Sequence, residues 1–88
     1  MHDFRKLSVW ANSIELAKEV YGIVETFPVE ESFGLTHQIK KSVVSIPSNI
    51  AEGAGRNSNA EFNQFLGYAN GSSYELETQL ILSEKLDC

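Results

Sequence analysis

Ser45-Ile46-Pro47-Ser48-Asn49-Ile50-Ala51-Glu52-Gly53-Ala54-Gly55-Arg56-Asn57-Ser58-Asn59-Ala60-Glu61-Phe62 reads as the end of one helix, a tight glycine-rich connection and the start of the next. Gly53 and Gly55 are expected to adopt the positive φ that ends a helix without steric cost. Ser58 and Glu61 have the spacing of a capping box: the hydroxyl accepts a free backbone N–H, and the carboxylate reaches back to the N–H of the cap. So short a connection lays the two helices antiparallel and in contact.

Downstream, the apolar period predicts a helix over 59–85. Phe62, Leu66, Ala69, Ser73, Leu76 and Leu80 form its main seam, widened by Phe65, Tyr68, Leu82 and Leu86. Gly67, Gly71, Ser72 and Ser73 weaken the middle of this helix and are expected to admit a second backbone. At 1.5 Å per residue the helix is about 40 Å long. It exceeds its upstream neighbours, so Leu80, Ile81, Leu82 and Leu86 should need cover from a fourth helix or another subunit.

Upstream, Leu35, Ile39, Val43, Ile46 and Ile50 make the stripe of a helix over 33–52, starting near Ser32 or Phe33. Pro47 removes the bond to the Val43 carbonyl. It either bends a continuous helix or breaks it, with a restart capped at Ser45 or Ile46. The undisturbed apolar period favours the continuous helix.

The first helix is predicted over 6–26, closed by Phe27-Pro28 because the residue before proline leaves the α region. Two adjacent seams run along it: Leu7, Trp10, Ile14, Ala17, Tyr21 and Val24, and beside them Val9, Leu16, Val20, Ile23 and Phe27. Two seams call for two neighbours. Gly22 is its weak point. The fold class is therefore all-α: an antiparallel up-down bundle of three long helices in one domain, residues 1–88.

The 88 residues form a small domain, which buries only about 60–65% of the surface its unfolded chain exposes. A partner subunit would supply missing burial, so a homo-oligomer is expected. With 42% apolar and 22% charged residues, the composition is that of a globular protein. No apolar run approaches the roughly 18 residues of a membrane span, and the start of the chain does not resemble a signal peptide. Cytoplasmic location and no membrane partner are the expectations.

The net charge is −5, which opposes nucleic-acid binding through bulk charge. Arg5, Lys6, Lys40, Lys41 and Arg56 are nevertheless candidates for a local basic patch contacting RNA or DNA. The rest of the search is negative. His2 and His37 lack the Glu-x-x-His spacing of a di-metal bundle, and one cysteine with two distant histidines does not make a zinc site. Cys88 has no positioned base. Gly53-Ala54-Gly55-Arg56 lacks the ending of a phosphate loop. No catalytic residue, cofactor, metal or small-molecule substrate is expected. Asn49, Glu52, Arg56, Glu75 and Glu77 are instead expected to gather around the hairpin, with Arg56 or Arg5 pairing Glu52, Glu75 or Glu77 to fix the register.

Asp3-Phe4-Arg5-Lys6-Leu7 with Val9-Trp10, then Phe33-Gly34-Leu35, then Ser45 to Gly53 with Arg56, Ser58 and Glu61-Phe62, and Gly71-Ser72 with Glu75 to Leu80 resemble the four-helix-bundle proteins encoded in bacterial 23S rRNA intervening sequences. That family is similar in turn to the accessory protein of diversity-generating retroelements, a pentameric barrel engaging reverse transcriptase and nucleic acid. The resemblance makes Pro47, Asn49, Glu52, Gly53, Arg56, Ser58, Glu61, Glu75 and Glu77 motif positions with structural roles. It implies a non-enzymatic, self-associating scaffold or accessory protein, with RNA or a nucleic-acid-processing protein as a partner. Family members usually continue into a fourth helix, which is not expected within residues 1–88. The retroelement relatives are basic, unlike this chain.

Overall fold

Apolar residues recurring at steps of three and four dictate helices, and helices are what form. The computed structural model describes residues 1–31 and 34–88. It contains three α-helices: α1 (Ser8–Val24), α2 (Leu35–Ala54) and α3 (Asn59–Lys85). Short 3-10 turns over Phe4–Lys6 and Val29–Glu31 precede α1 and α2. There is no strand among the described residues.

Contacts along the helices set their directions. The His2 N–H donates to the Ala54 carbonyl at 2.7 Å, tying the start of the chain to the end of α2. Lys40 Nζ lies 5.1 Å from the Tyr21 ring centroid, so the first half of α2 runs beside the last turns of α1. Ser45 and Ser72 meet hydroxyl to hydroxyl at 2.5 Å, and Gly53 faces Phe62 and Phe65. Each helix therefore runs opposite to the one before it.

The spine is α2. Its whole predicted stripe, Leu35, Ile39, Val43, Ile46 and Ile50, is buried, with Val20 and Val24 of α1 and Ala69 and Leu76 of α3 packed against it. Ile39 and Val43 are 0% exposed, and full burial of such a side chain contributes about 1.5–3 kcal/mol. In contrast, no Cα of α1 lies within 8 Å of a Cα of α3. The resulting body measures 43 × 19 × 18 Å. Its radius of gyration, 14.2 Å, exceeds the about 12 Å typical of a compact domain this size.

The helix ends depart from the expectation in instructive ways. Lys6 lies in the 3-10 turn capped by Asp3, whose carboxylate accepts from the Arg5 N–H, so α1 starts at Ser8. It ends at Val24, two residues before Thr26. At the other end of the core, α2 continues to Ala54, past Glu52, and its expected start at Ser32 or Phe33 lies outside the described residues. It passes through Pro47 unbroken. Ser58 caps α3 by accepting the Glu61 N–H at 3.1 Å. The Glu61 carboxylate accepts from the Ser58 hydroxyl, also at 3.1 Å, in place of the expected bond to the cap's backbone.

The glycines do different work from that expected. No described glycine has positive φ, and Gly55 sits at φ −82°. Gly53 is a close-approach site: a Cβ there would stand 2.5 Å from Phe65 Cβ. Gly67 and Gly71 were expected to admit another backbone; a Cβ on either of them, or on Gly22, would meet nothing within 4 Å.

Candidate functional site

The second seam of α1 enters the core only in part. Only Val20 of it is buried, Phe27 is half-buried, and Val9, Leu16 and Ile23 remain exposed. Val9 and Leu16 face the space left because α1 and α3 both pack on α2 without meeting. That space holds two neighbouring apolar pockets, together an apolar groove along the helices. Towards the hairpin it is lined by Val9, Leu66 and Ala69 over a floor of Ile46 and Ile50. Towards the other end it is lined by Leu16, Leu76, Leu80 and Ile81, with Glu77 and Glu84 at its lip. Ser73 borders both parts. The exposed end of α3 expected from its length is observed: Ile81, Leu82 and Leu86 are exposed, and Leu80 is half-buried.

Across the molecule, α2 presents a different surface. Tyr21, His37, Lys40, Lys41, Val44 and Ser48 line a shallow depression on its outer side. Aromatic and aliphatic surface here lies under basic groups. His37 was not linked to the lysines in sequence reasoning, although its three- and four-residue spacing from Lys40 and Lys41 puts all three on one helical face.

The five basic candidates fall into two groups. Arg5, Lys6 and Arg56 sit at the hairpin end, where the N-terminus joins α2 and the His2 ring lies 5.0 Å from that of Phe62. Arg5 stacks over Phe4 at 4.6 Å and Arg56 over Phe65 at 4.7 Å. Lys40 and Lys41 stand apart from them, with roughly 20 Å of helix axis between Lys41 and Ala54.

The predicted polar cluster forms only in part. Arg56 pairs with Glu52 at 2.9 Å, one helical turn away. Both are substantially exposed, and the pair lies within one chain segment, so it does not fix the register between helices. Glu75 and Glu77 were expected at the hairpin facing inward; both are exposed and sit along α3, on opposite sides of it. Asn49 turns back on its own helix, its amide donating to the Ser45 carbonyl at 2.8 Å.

A polar seam that sequence reasoning missed joins α2 to α3. Gln38, Lys41, Ser42, Ser45, Ser72, Glu75 and Gln79 line it. Gln79 Oε1 is buried there without a hydrogen-bond partner. Among the described residues, no three His, Cys, Asp or Glu side chains group as a metal site. No described helix is long and apolar enough to cross a membrane.

Antiparallel helices on a central spine, with apolar pockets left between α1 and α3, define a helical-bundle protein. The family model for 23S rRNA-intervening sequence proteins matches residues 5–88, and the chain belongs to that family. No curated protein matches it.

Proposed function

We propose that the protein is a non-enzymatic helical scaffold that self-associates. One observation carries this: the apolar groove between α1 and α3, where Val9 and Ile81 are 50% and 53% exposed. Exposed apolar surface of this kind drives association, because burying it gains about 25 cal/mol per Å². The small core points the same way, since a short chain gains stability when another copy covers its surface. Sedimentation velocity and light scattering over a concentration series test the proposal. A mass that rises with concentration to a defined multiple of the 9.8 kDa chain is expected; a strict monomer throughout rejects it.

The outer face of α2, with His37 and Lys41 exposed and Lys40 half-buried, favours a second reading, direct contact with RNA or DNA. Binding of that kind weakens steeply with salt because counterions are released. Titration of a fluorescent single-stranded RNA at two salt concentrations, with wild type and Lys40→Glu/Lys41→Glu, separates the two. Salt-dependent affinity lost in the variant supports nucleic-acid contact; no binding at low salt rejects it.

A further inference from the structure

We propose that the polar seam between α2 and α3 binds a small zwitterion, an α-amino acid with a short polar side chain. The proposal does not rest on self-association.

The register of the two helices builds the seam. Ser45 and Ser72 meet hydroxyl to hydroxyl and mark its end nearer the hairpin. In the antiparallel register that this contact sets, Lys41 and buried Ser42 come level with Glu75 one turn on, and Gln38 with Gln79 a further turn on. The cleft between them holds about 550 Å³, within the range of small-molecule sites. It has no lining residue from α1 and none in common with the α1–α3 pockets. It is built by α2 and α3 alone.

Its chemistry selects the ligand. Every lining side chain is polar, so an apolar molecule gains nothing by entering. Lys41 stands on one wall and Glu75 on the other, and among the described residues neither is in an ion pair. A ligand with a single charge satisfies one of them and meets the other as a like charge; a zwitterion satisfies both. Gln79 adds a third cue. Its Oε1 is buried with no hydrogen-bond partner, an arrangement that is costly until a donor arrives. Glu75 and Gln79 lie four residues apart on one face of α3. A ligand ammonium has three N–H donors to divide between the Glu75 carboxylate and Gln79 Oε1, while its carboxylate turns to α2 and accepts from Lys41 Nζ.

Titration of the nitrogen-labelled full chain with L-serine and with L-asparagine, followed by heteronuclear NMR, tests the site through its side-chain amides. Saturable shifts of the Gln38 and Gln79 amides are expected. The Gln64 amide, which donates to the Tyr68 hydroxyl about 22 Å from Gln79 along α3, should stay in place. N-acetyl-L-serine and L-serinamide each lack one of the two charges and should bind at least tenfold more weakly than L-serine. Lys41→Met and Glu75→Gln, verified as folded by circular dichroism, should weaken binding at least tenfold. Lys40→Met and Glu77→Gln make the same charge changes outside the lining of the seam and should bind like wild type. No saturable shift with either amino acid overturns the site. So do equal binding of the singly charged analogues, and undiminished binding by Lys41→Met or Glu75→Gln.

Discussion

Gly53 and Phe65 hold α2 and α3 at a separation no larger residue permits: a Cβ on the glycine would lie 2.5 Å from Phe65 Cβ and 3.1 Å from Phe62 Cδ1. The nearer atom is fixed to the α3 backbone, so rotating a side chain gives no relief. Gly53→Ala must push the helices apart at the hairpin, an overpacking cost of about 1–3 kcal/mol. In a domain this size each kcal/mol lowers the melting temperature by about 4–8 °C. Gly55→Ala is the comparison, because its Cβ would find Glu52 O at an ordinary 3.5 Å. Thermal unfolding followed by circular dichroism should separate the two variants clearly; equal melting temperatures would remove the close-approach explanation.

The exposed glycines of α3 lead to the opposite expectation. Gly67 and Gly71 lie in the interior of a 27-residue helix with open space where a side chain would go. Alanine there should stabilise the chain by about 0.5–1 kcal/mol per site, through lower backbone entropy in the unfolded state. Urea denaturation at a concentration where wild type is monomeric measures it. A destabilised Gly67→Ala or Gly71→Ala would mean that this face is covered after all.

These glycines also mark the limit of what sequence conveys. The α2 stripe was legible because five apolar residues in period leave one way to bury them, and all five are buried. The cap at Ser58 was legible because its chemistry is local. The role of Gly53 was not, since a glycine for a turn and a glycine for contact look alike until the facing residue is known. The groove was half legible: the two seams of α1 announced unmet burial, while which seam stays exposed depends on where α3 lies. The basic residues misled because Arg56 and Lys41, joined in one patch on paper, fall on separate ends of α2. The seam around Ser45 and Ser72 was missed because each serine is an unremarkable helix residue until α2 and α3 are in register.

Arg56 touches two groups, and mutation can tell them apart. Its ion pair with Glu52 leaves the two side chains 41% and 57% exposed, so solvent screening reduces it to a few tenths of a kcal/mol. Its guanidinium also stacks over Phe65 at 4.7 Å, a contact of about 0.5–1 kcal/mol at an exposed site. Glu52→Gln should therefore shift the urea midpoint very little, while Arg56→Ala should lower it measurably. Equal shifts would assign the stabilisation to the ion pair instead.

Ser45 Oγ stands 2.5 Å from Ser72 Oγ and 2.8 Å from the Ser42 carbonyl oxygen. The two hydroxyls link α2 to α3 in a partly buried seam, and Ser45 also has a backbone partner that Ser72 does not replace. Ser72→Ala leaves Ser45 bonded to its own helix and should cost under about 1 kcal/mol. Ser45→Ala strands the Ser72 hydroxyl, so a larger loss of about 1–2 kcal/mol is expected. Removing both leaves neither group stranded, and the double variant should be less destabilised than the sum of the singles. A double-mutant cycle by urea denaturation should give a coupling of about 0.5 kcal/mol or more. Strict additivity would show that the two serines lie side by side without holding the helices together, leaving the α2–α3 register to the apolar core alone.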